Sequence, residues 1–541
     1  MKFSRFGYVA TAAIAVGALA LTGCASGGST ESSSSNAKAI ITTNGSEPES
    51  GLIPSDTNEV GGGKILDEIF AGLVYYDAKG KPVNDLAESI DTDDSINFTI
   101  KIKSGQKFTN GDPVDAASFV NAWQDAALLS NARKNASFFS NIEGYSEEAD
   151  SPLTGLKVVD DNTFTVKLTS AVSDFPLRLG YSSFYPLPKS AFDANGKVTA
   201  EFGQDPIGNG PYKLDGGSKA WKHNESIALV KNDEYKGGRE PKNGGVTINF
   251  YASFDAAYAD LLGGNLDVLD QIPDSAVSTF KDDLGDRAVN QPAAIFQSFT
   301  IPARLPHFSG EEGQLRRAAI SHAINRKQIT DVIFDGTRTP ASDFTSPVID
   351  GFSKDIKGSD VLTFDEKKAK ELWAQADAIS PWSGSFQIAY NADGPHQGWV
   401  DAVTNSIKNV LGIDSSGVPV AVFGDFRSSI TTRQIQTAFR SGWQADYPGL
   451  YNFLAPLYAT GASSNDGDYS NPDFDALLAK GASESDLTAA NKEFQDAQEI
   501  LFKDLPAIPL WYQNVSGGFG EKVKNVQFGW NSVPLYYEIT K

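Results

Sequence analysis

Sulfur is nearly absent from this chain: its 541 residues include one cysteine, Cys24, and one methionine, Met1. A single cysteine excludes an internal disulfide framework, and with no further thiol or thioether there is no soft ligand set for a metal. Histidine is scarce as well. His223, His307, His322 and His396 are the only four, too far apart for a local pair at metal-ligand spacing, so no metal or cofactor is expected. Positive charge is also short, with 46 Lys and Arg against 68 Asp and Glu and a net charge of −22. So acidic a surface disfavours nucleic acid or anionic lipid as a partner and favours solubility. The usual catalytic signatures are missing too. There is no Gly-x-Ser-x-Gly elbow, Walker loop or His-Glu-x-x-His, and Gly208-Asn209-Gly210 has Lys213 where a dinucleotide fingerprint needs its third glycine. An enzyme is not expected, although a carboxylate pair scattered in sequence would escape such a search.

Long apolar runs are confined to the start. Lys2 and Arg5 precede an apolar stretch over Val9 to Ala20, which ends in Leu21-Thr22-Gly23-Cys24. This is the layout of a signal peptide, too short for a membrane span of about 20 residues. The last four residues resemble the lipobox of bacterial lipoproteins, which implies a diacylated Cys24. The alternative is an ordinary cleaved signal with an incidental cysteine, but a lone thiol placed at the cleavage site favours the lipid. Two acyl chains, at about 0.8 kcal/mol per buried CH₂, hold a soluble body at a bilayer durably. Residues 24–37 are rich in Ser and Gly and read as a flexible leash. From Ala39 onward no second long apolar segment occurs, so the body is expected to be soluble and extracytoplasmic.

Strand and helix periods alternate through that body. Ile96, Phe98, Ile100 and Ile102 alternate with polar residues, as does Thr163 to Leu168, and the two predict paired strands of one antiparallel sheet. Between them, Asn110-Gly111-Asp112-Pro113 predicts a turn and then a helix, capped by Asp112, with Phe119, Val120, Trp123 and Ala127 on its buried face. Further helices are expected over 314–334, 365–378, 472–480 and 487–503, and strands near 246–250 and 386–390. Mixed strands and helices without a repeat period imply an α/β or α+β body of several domains.

Several motifs occur in a fixed order. They are Ile69-Phe70-Ala71-Gly72-Leu73 with Tyr76-Asp77, then Lys103-Ser104-Gly105-Gln106-Lys107-Phe108-Thr109-Asn110-Gly111-Asp112-Pro113-Val114, then Gly208-Asn209-Gly210-Pro211-Tyr212-Lys213-Leu214 and Asn232-Asp233-Glu234-Tyr235. There follow Arg316-Arg317-Ala318-Ala319-Ile320-Ser321-His322-Ala323-Ile324-Asn325-Arg326, Trp443-Gln444-Ala445-Asp446-Tyr447-Pro448, Tyr469-Ser470-Asn471-Pro472-Asp473-Phe474-Asp475 and Pro506-Ala507-Ile508-Pro509-Leu510. In that order they resemble extracytoplasmic solute-binding protein family 5, the oligopeptide- and dipeptide-binding lipoproteins of ABC transporters.

The resemblance implies an α/β, two-lobed periplasmic-binding-protein-like fold of type II, cluster C, with an extra domain. One lobe would take 38–80, 200–290 and 510–541, the extra domain 81–199, and the second lobe 291–509. It also implies a monomer that takes an oligopeptide and docks on permease subunits, attached to the membrane only through its lipid. A buried peptide ammonium must face a carboxylate, and the resemblance gives that role to Asp446. Arg440 would help neutralise the ligand carboxylate, with Arg433 as a second arginine at shorter spacing than the family pattern. Gly442 and Gln444 flank Trp443 on a segment whose backbone would pair with an extended peptide. Trp443 would wall a side-chain pocket, and Tyr512 and Glu59 complete the set.

Two other readings share these features. The same fold can carry another solute, an oligosaccharide or a nickel chelate, but few metal-binding side chains oppose nickel and end charges such as Asp446 and Arg440 are superfluous for a sugar. A lipid-anchored hydrolase fits the N-terminus equally well, yet lacks a visible catalytic constellation.

Overall fold

Two strands of 13 residues, Ala288–Thr300 and Ala507–Phe519, organise the computed structural model, which describes residues 36–541 apart from 393, 422, 463 and 485. Cys24, the expected signal segment and most of the expected leash lie outside the described residues. The two strands pair antiparallel in two stretches, with a register shift between Pro292 and Phe296. Pro292 has no amide hydrogen to give to a ladder, so the interruption falls where the sequence permits one.

Each end of this pair carries its own part of a 12-stranded mixed sheet. At one end Val268–Leu269 pairs with Gly518 and Phe519, and the order continues through Ile40–Gly45, Gly245–Phe250, Ser226–Lys231 and Tyr212–Leu214. At the other, Ala438–Gln444 pairs with residues 295–300, and Phe386–Asn391 and Ser415–Val420 follow. The last two run parallel, joined by the Gln397–Leu411 helix, which buries Trp399, Val400, Val403 and Ile407 at helical spacing.

The apolar side chains separate accordingly. One large cluster includes Ile41, Ile65, Phe70 and Ile248, and another includes Phe296, Ile320, Trp399 and Trp511. Two cores linked by a pair of strands make two lobes.

A smaller antiparallel sheet stands apart, in the order Ala87–Asp91, Asn97–Ile102, Thr163–Lys167, Leu156–Asp160. Its two central strands are those expected to pair. The Ala116–Ala127 helix lays Phe119 and Trp123 against it; the Trp123 indole makes edge contacts with Phe164 and Phe184 and donates to the Phe184 carbonyl at 3.0 Å. This core is continuous with that of the first lobe.

Two expectations need correction. The helix after Asn110-Gly111-Asp112-Pro113 begins at Ala116, because Asp115, not Asp112, caps it by accepting from the Ser118 amide at 2.8 Å. Asp112 instead closes the preceding turn, its carbonyl accepting from the Phe108 amide. The single helix expected over 314–334 is two, Gly310–His322 and Arg326–Phe334. Asn325 starts the second by capping Gln328 at 3.1 Å, a role that asparagine fills better than a helix interior. The remaining expected helices appear as Glu366–Ile379, Pro472–Ala482 and Leu487–Asp504. Among the described residues no helix is long and apolar enough to cross a membrane.

Candidate functional site

The Ala438–Gln444 strand has partners on both edges only at its start. Phe386–Asn391 reaches Ala438 and Phe439 and then diverges, whereas residues 295–300 pair along residues 439–444. Among the described residues no strand occupies the other edge of residues 440–444, and Gly442 is exposed. A free edge with a small residue in it is an acceptor for an added strand.

Two cavities adjoin this segment. The first, of about 230 Å³, is lined by Gln444, Ala445 and Asp446, by Glu59 and the helix that follows it, and by Tyr76, Tyr181 and Trp530. The second, of about 210 Å³, is lined by Arg440, Ser441, Gly442 and Trp443, together with Arg427 and Asp466. Consecutive residues of one strand thus serve adjoining hollows.

Asp446 follows the strand in the first cavity. Its backbone N–H donates to Asn452 Oδ1 at 2.9 Å, and Asn452 Nδ2 donates back to Asp446 Oδ2 at 2.9 Å. The same Asn452 Oδ1 accepts from Trp443 Nε1 at 3.1 Å. One buried amide, on the Leu450–Tyr458 helix, therefore fixes the residues expected to meet the ligand in each cavity. Among the described residues Asp446 has no ion-pair partner, and burial pushes its carboxyl from 3.8 up to about 6. A desolvated carboxylate held only by an amide is prepared to meet a cation.

Arg440 lies in the second cavity, giving a 2.7 Å hydrogen bond to Asn391 and standing over Phe423 and Phe426 at 5.3 and 5.1 Å. Gln444 donates to the Asn531 carbonyl at 3.2 Å. Glu59 lines the first cavity while capping the Val60–Ile69 helix through the Gly62 amide at 2.9 Å.

Two expected residues lie elsewhere. Arg433 lines neither cavity; it has a left-handed backbone and pairs with Asp468 at 2.8 Å and Asp466 at 3.5 Å. Tyr512 is 1% exposed. Its hydroxyl donates to Asp343 Oδ1 and accepts from the Ser342 and Asp343 amides, which occupies it in the second lobe.

Sequence reasoning did not find Asp67, Glu68, Tyr76, Tyr181 and Trp530, all on the first cavity wall. A signal existed for the first two, adjacent carboxylates amid Ile65, Leu66 and Ile69. Tyr76 was visible only as part of the Tyr76-Asp77 motif, and Tyr181 and Trp530 carried no signal, since an isolated tyrosine or tryptophan reads as core.

Comparisons with known proteins bear on the fold and the family. The chain is 26% identical over 530 residues to the oligopeptide-binding protein OppA of Bacillus subtilis, covering 94% of each. The Escherichia coli murein tripeptide-binding protein MppA superposes with a TM-score of 0.76 at 22% identity, over 93% of this chain and 98% of that one. The Haemophilus influenzae OppA complex with RPPGFSPFR gives 0.74 at 24% identity, over 94% and 99%. These likenesses establish the two-lobed fold. The family model for bacterial extracellular solute-binding proteins, family 5, matches residues 81–465, and with that match over most of its length the chain belongs to this family of binders rather than enzymes.

Proposed function

We propose that the chain captures oligopeptides outside the cell and delivers them to the permease of an ABC importer. The observation that carries this reading is Asp446, which among the described residues has no ion-pair partner and follows a strand with an unpaired edge. A peptide's α-ammonium meets Asp446, its amides pair with residues 440–444, and its carboxylate end turns toward Arg440, whose guanidinium fork suits two oxygens. Hydrogen bonding through the ligand's backbone gives affinity with little dependence on side chains. The names of the relatives support the class: the Bacillus subtilis protein is an oligopeptide binder, and the Haemophilus influenzae one was solved with a peptide.

The two lobes close on the ligand about the long strands Ala288–Thr300 and Ala507–Phe519, because a ligand touching both favours the closed state. In this reading residues 38–80, 200–290 and 510–541 form the first lobe, 81–199 the extra domain and 291–509 the second. The monomer acts at the outer face of the cell membrane, attached through lipid on Cys24. Native mass spectrometry of the purified protein tests the class: a ladder of co-purified peptide masses is expected, and a single carbohydrate mass would contradict it.

A further inference from the structure

The Val60–Ile69 helix presents Val60, Gly63, Lys64, Asp67 and Glu68 to the same cavity as Asp446, a spacing that repeats along one helical face. Its charges are unequally matched. The Lys64 ammonium pairs with Asp270. Arg239, the other cation of the wall, donates to the carbonyls of Asp67 at 2.5 Å and Phe70 at 3.0 Å, and stands 3.6 Å from Asp85. Asp67 and Glu68 are left without an ion pair among the described residues. Asp67 accepts from the Tyr185 hydroxyl at 2.8 Å. Glu68 is only 4% exposed, and its Oε2 has no hydrogen-bond partner among the described residues. A buried carboxylate oxygen left unsatisfied is costly and calls for an explanation.

Asp67 and Asp446 belong to one electrostatic site. Burial raises the Tyr76 and Tyr181 phenols, and the fields of both carboxylates act on each. No three acidic or histidine side chains converge as a metal site among the described residues, so an organic cation suits the cavity better than a metal ion. We propose that the cavity is a two-cation site: with the peptide α-ammonium on Asp446, the side-chain cation of an N-terminal lysine or arginine lies against Asp67 and Glu68, so that the protein selects oligopeptides beginning with a basic residue. This rests on the peptide-binding reading above and adds a specificity to it.

The titration of the wall agrees. Burial pushes Glu68 up to about 8 and raises Asp67, the field of Arg239 opposing both shifts. The field of Glu68 also reaches the Tyr212, Tyr536 and Tyr537 phenols. A cation placed beside Glu68 favours its charged form, so binding of a basic side chain there should be accompanied by proton release.

Calorimetry on the detergent-solubilised full chain separates the possibilities. The parent should bind Lys-Ala-Ala-Ala about tenfold or more tighter than the norleucine analogue, with proton release seen by repeating the titration in buffers of different ionisation enthalpy. In Asp67→Asn/Glu68→Gln the two peptides should bind alike and the proton release should vanish; if the double variant does not fold, Glu68→Gln alone should shrink both effects. Equal affinity in the parent, a preference that survives in the variant, or an equal preference for Ala-Lys-Ala-Ala would each overturn the inference alone. Binding of neither peptide would overturn the peptide reading and this inference with it.

Discussion

Asp446 is set against itself when no ligand is present. Its carboxyl is raised above 3.8 to about 6 because burial penalises the charge, so between those values the folded protein holds a proton that the unfolded chain has lost. Stability conferred by that proton declines as pH rises through this window and is gone above it. Asp446→Asn should therefore melt higher than the parent above pH 6, with the difference shrinking toward pH 4, in paired thermal scans. The same substitution should weaken peptide binding by about 1.5 to 3 kcal/mol, the worth of a hydrogen bond to a charged group. Affinity of the parent for a peptide with an uncharged first side chain should rise with pH up to about 6 and then level, because below that value the proton on Asp446 competes with the ammonium. Asn452→Leu should lower affinity as well, since Trp443 and Asp446 both lose their holder, and tryptophan fluorescence should report the displaced indole.

At this scale the expected residues that line the cavities lie within one short segment, Glu59 excepted. Trp443, Gln444 and Asp446 fall within four residues of sequence and line the adjoining cavities. Asn452 gave no sign, because its role depends on a helix folding back over the strand. Arg433 and Tyr512 show the converse: residue type and approximate alignment drew attention to them, but their partners, Asp468 and Asp343, were invisible in sequence.

Among the elements, the Ala438–Gln444 strand matters most because it is half-paired. If a peptide completes it, backbone amides carry the affinity. A tetrapeptide N-methylated at a central amide should bind about tenfold weaker, since one or more hydrogen bonds are lost, whereas exchanging a central alanine for leucine should change affinity little; equal binding of the methylated peptide would remove strand addition from the account. Strand periods were readable because alternation survives in Asn97–Ile102 and Thr163–Lys167. Helix limits were less so: Asp112 and Asp115 are both plausible caps, and only the reach of Asp115 to Ser118 decides between them. The break near Asn325 was hidden because the apolar spacing of the two helices runs on across it.

In the whole molecule, Ala288–Thr300 and Ala507–Phe519 are continuous secondary structure shared by the two cores, which is why the proposed closure is assigned to them. Small-angle scattering should show a smaller radius of gyration when peptide is added; an unchanged value at saturation would exclude closure. The two-lobed fold was legible through the order of the motifs, not through composition. Periodicity alone reached only a mixed body, because strands that join distant parts of a sheet look locally like any others.

The central claim is that a free peptide amine meets Asp446, and calorimetric titration of one tetrapeptide against its N-acetylated form tests it most directly. The account predicts that the free peptide binds and that acetylation weakens binding by about tenfold or more, with Asp446→Asn erasing most of that difference. Equal binding of the two forms by the parent protein would contradict it.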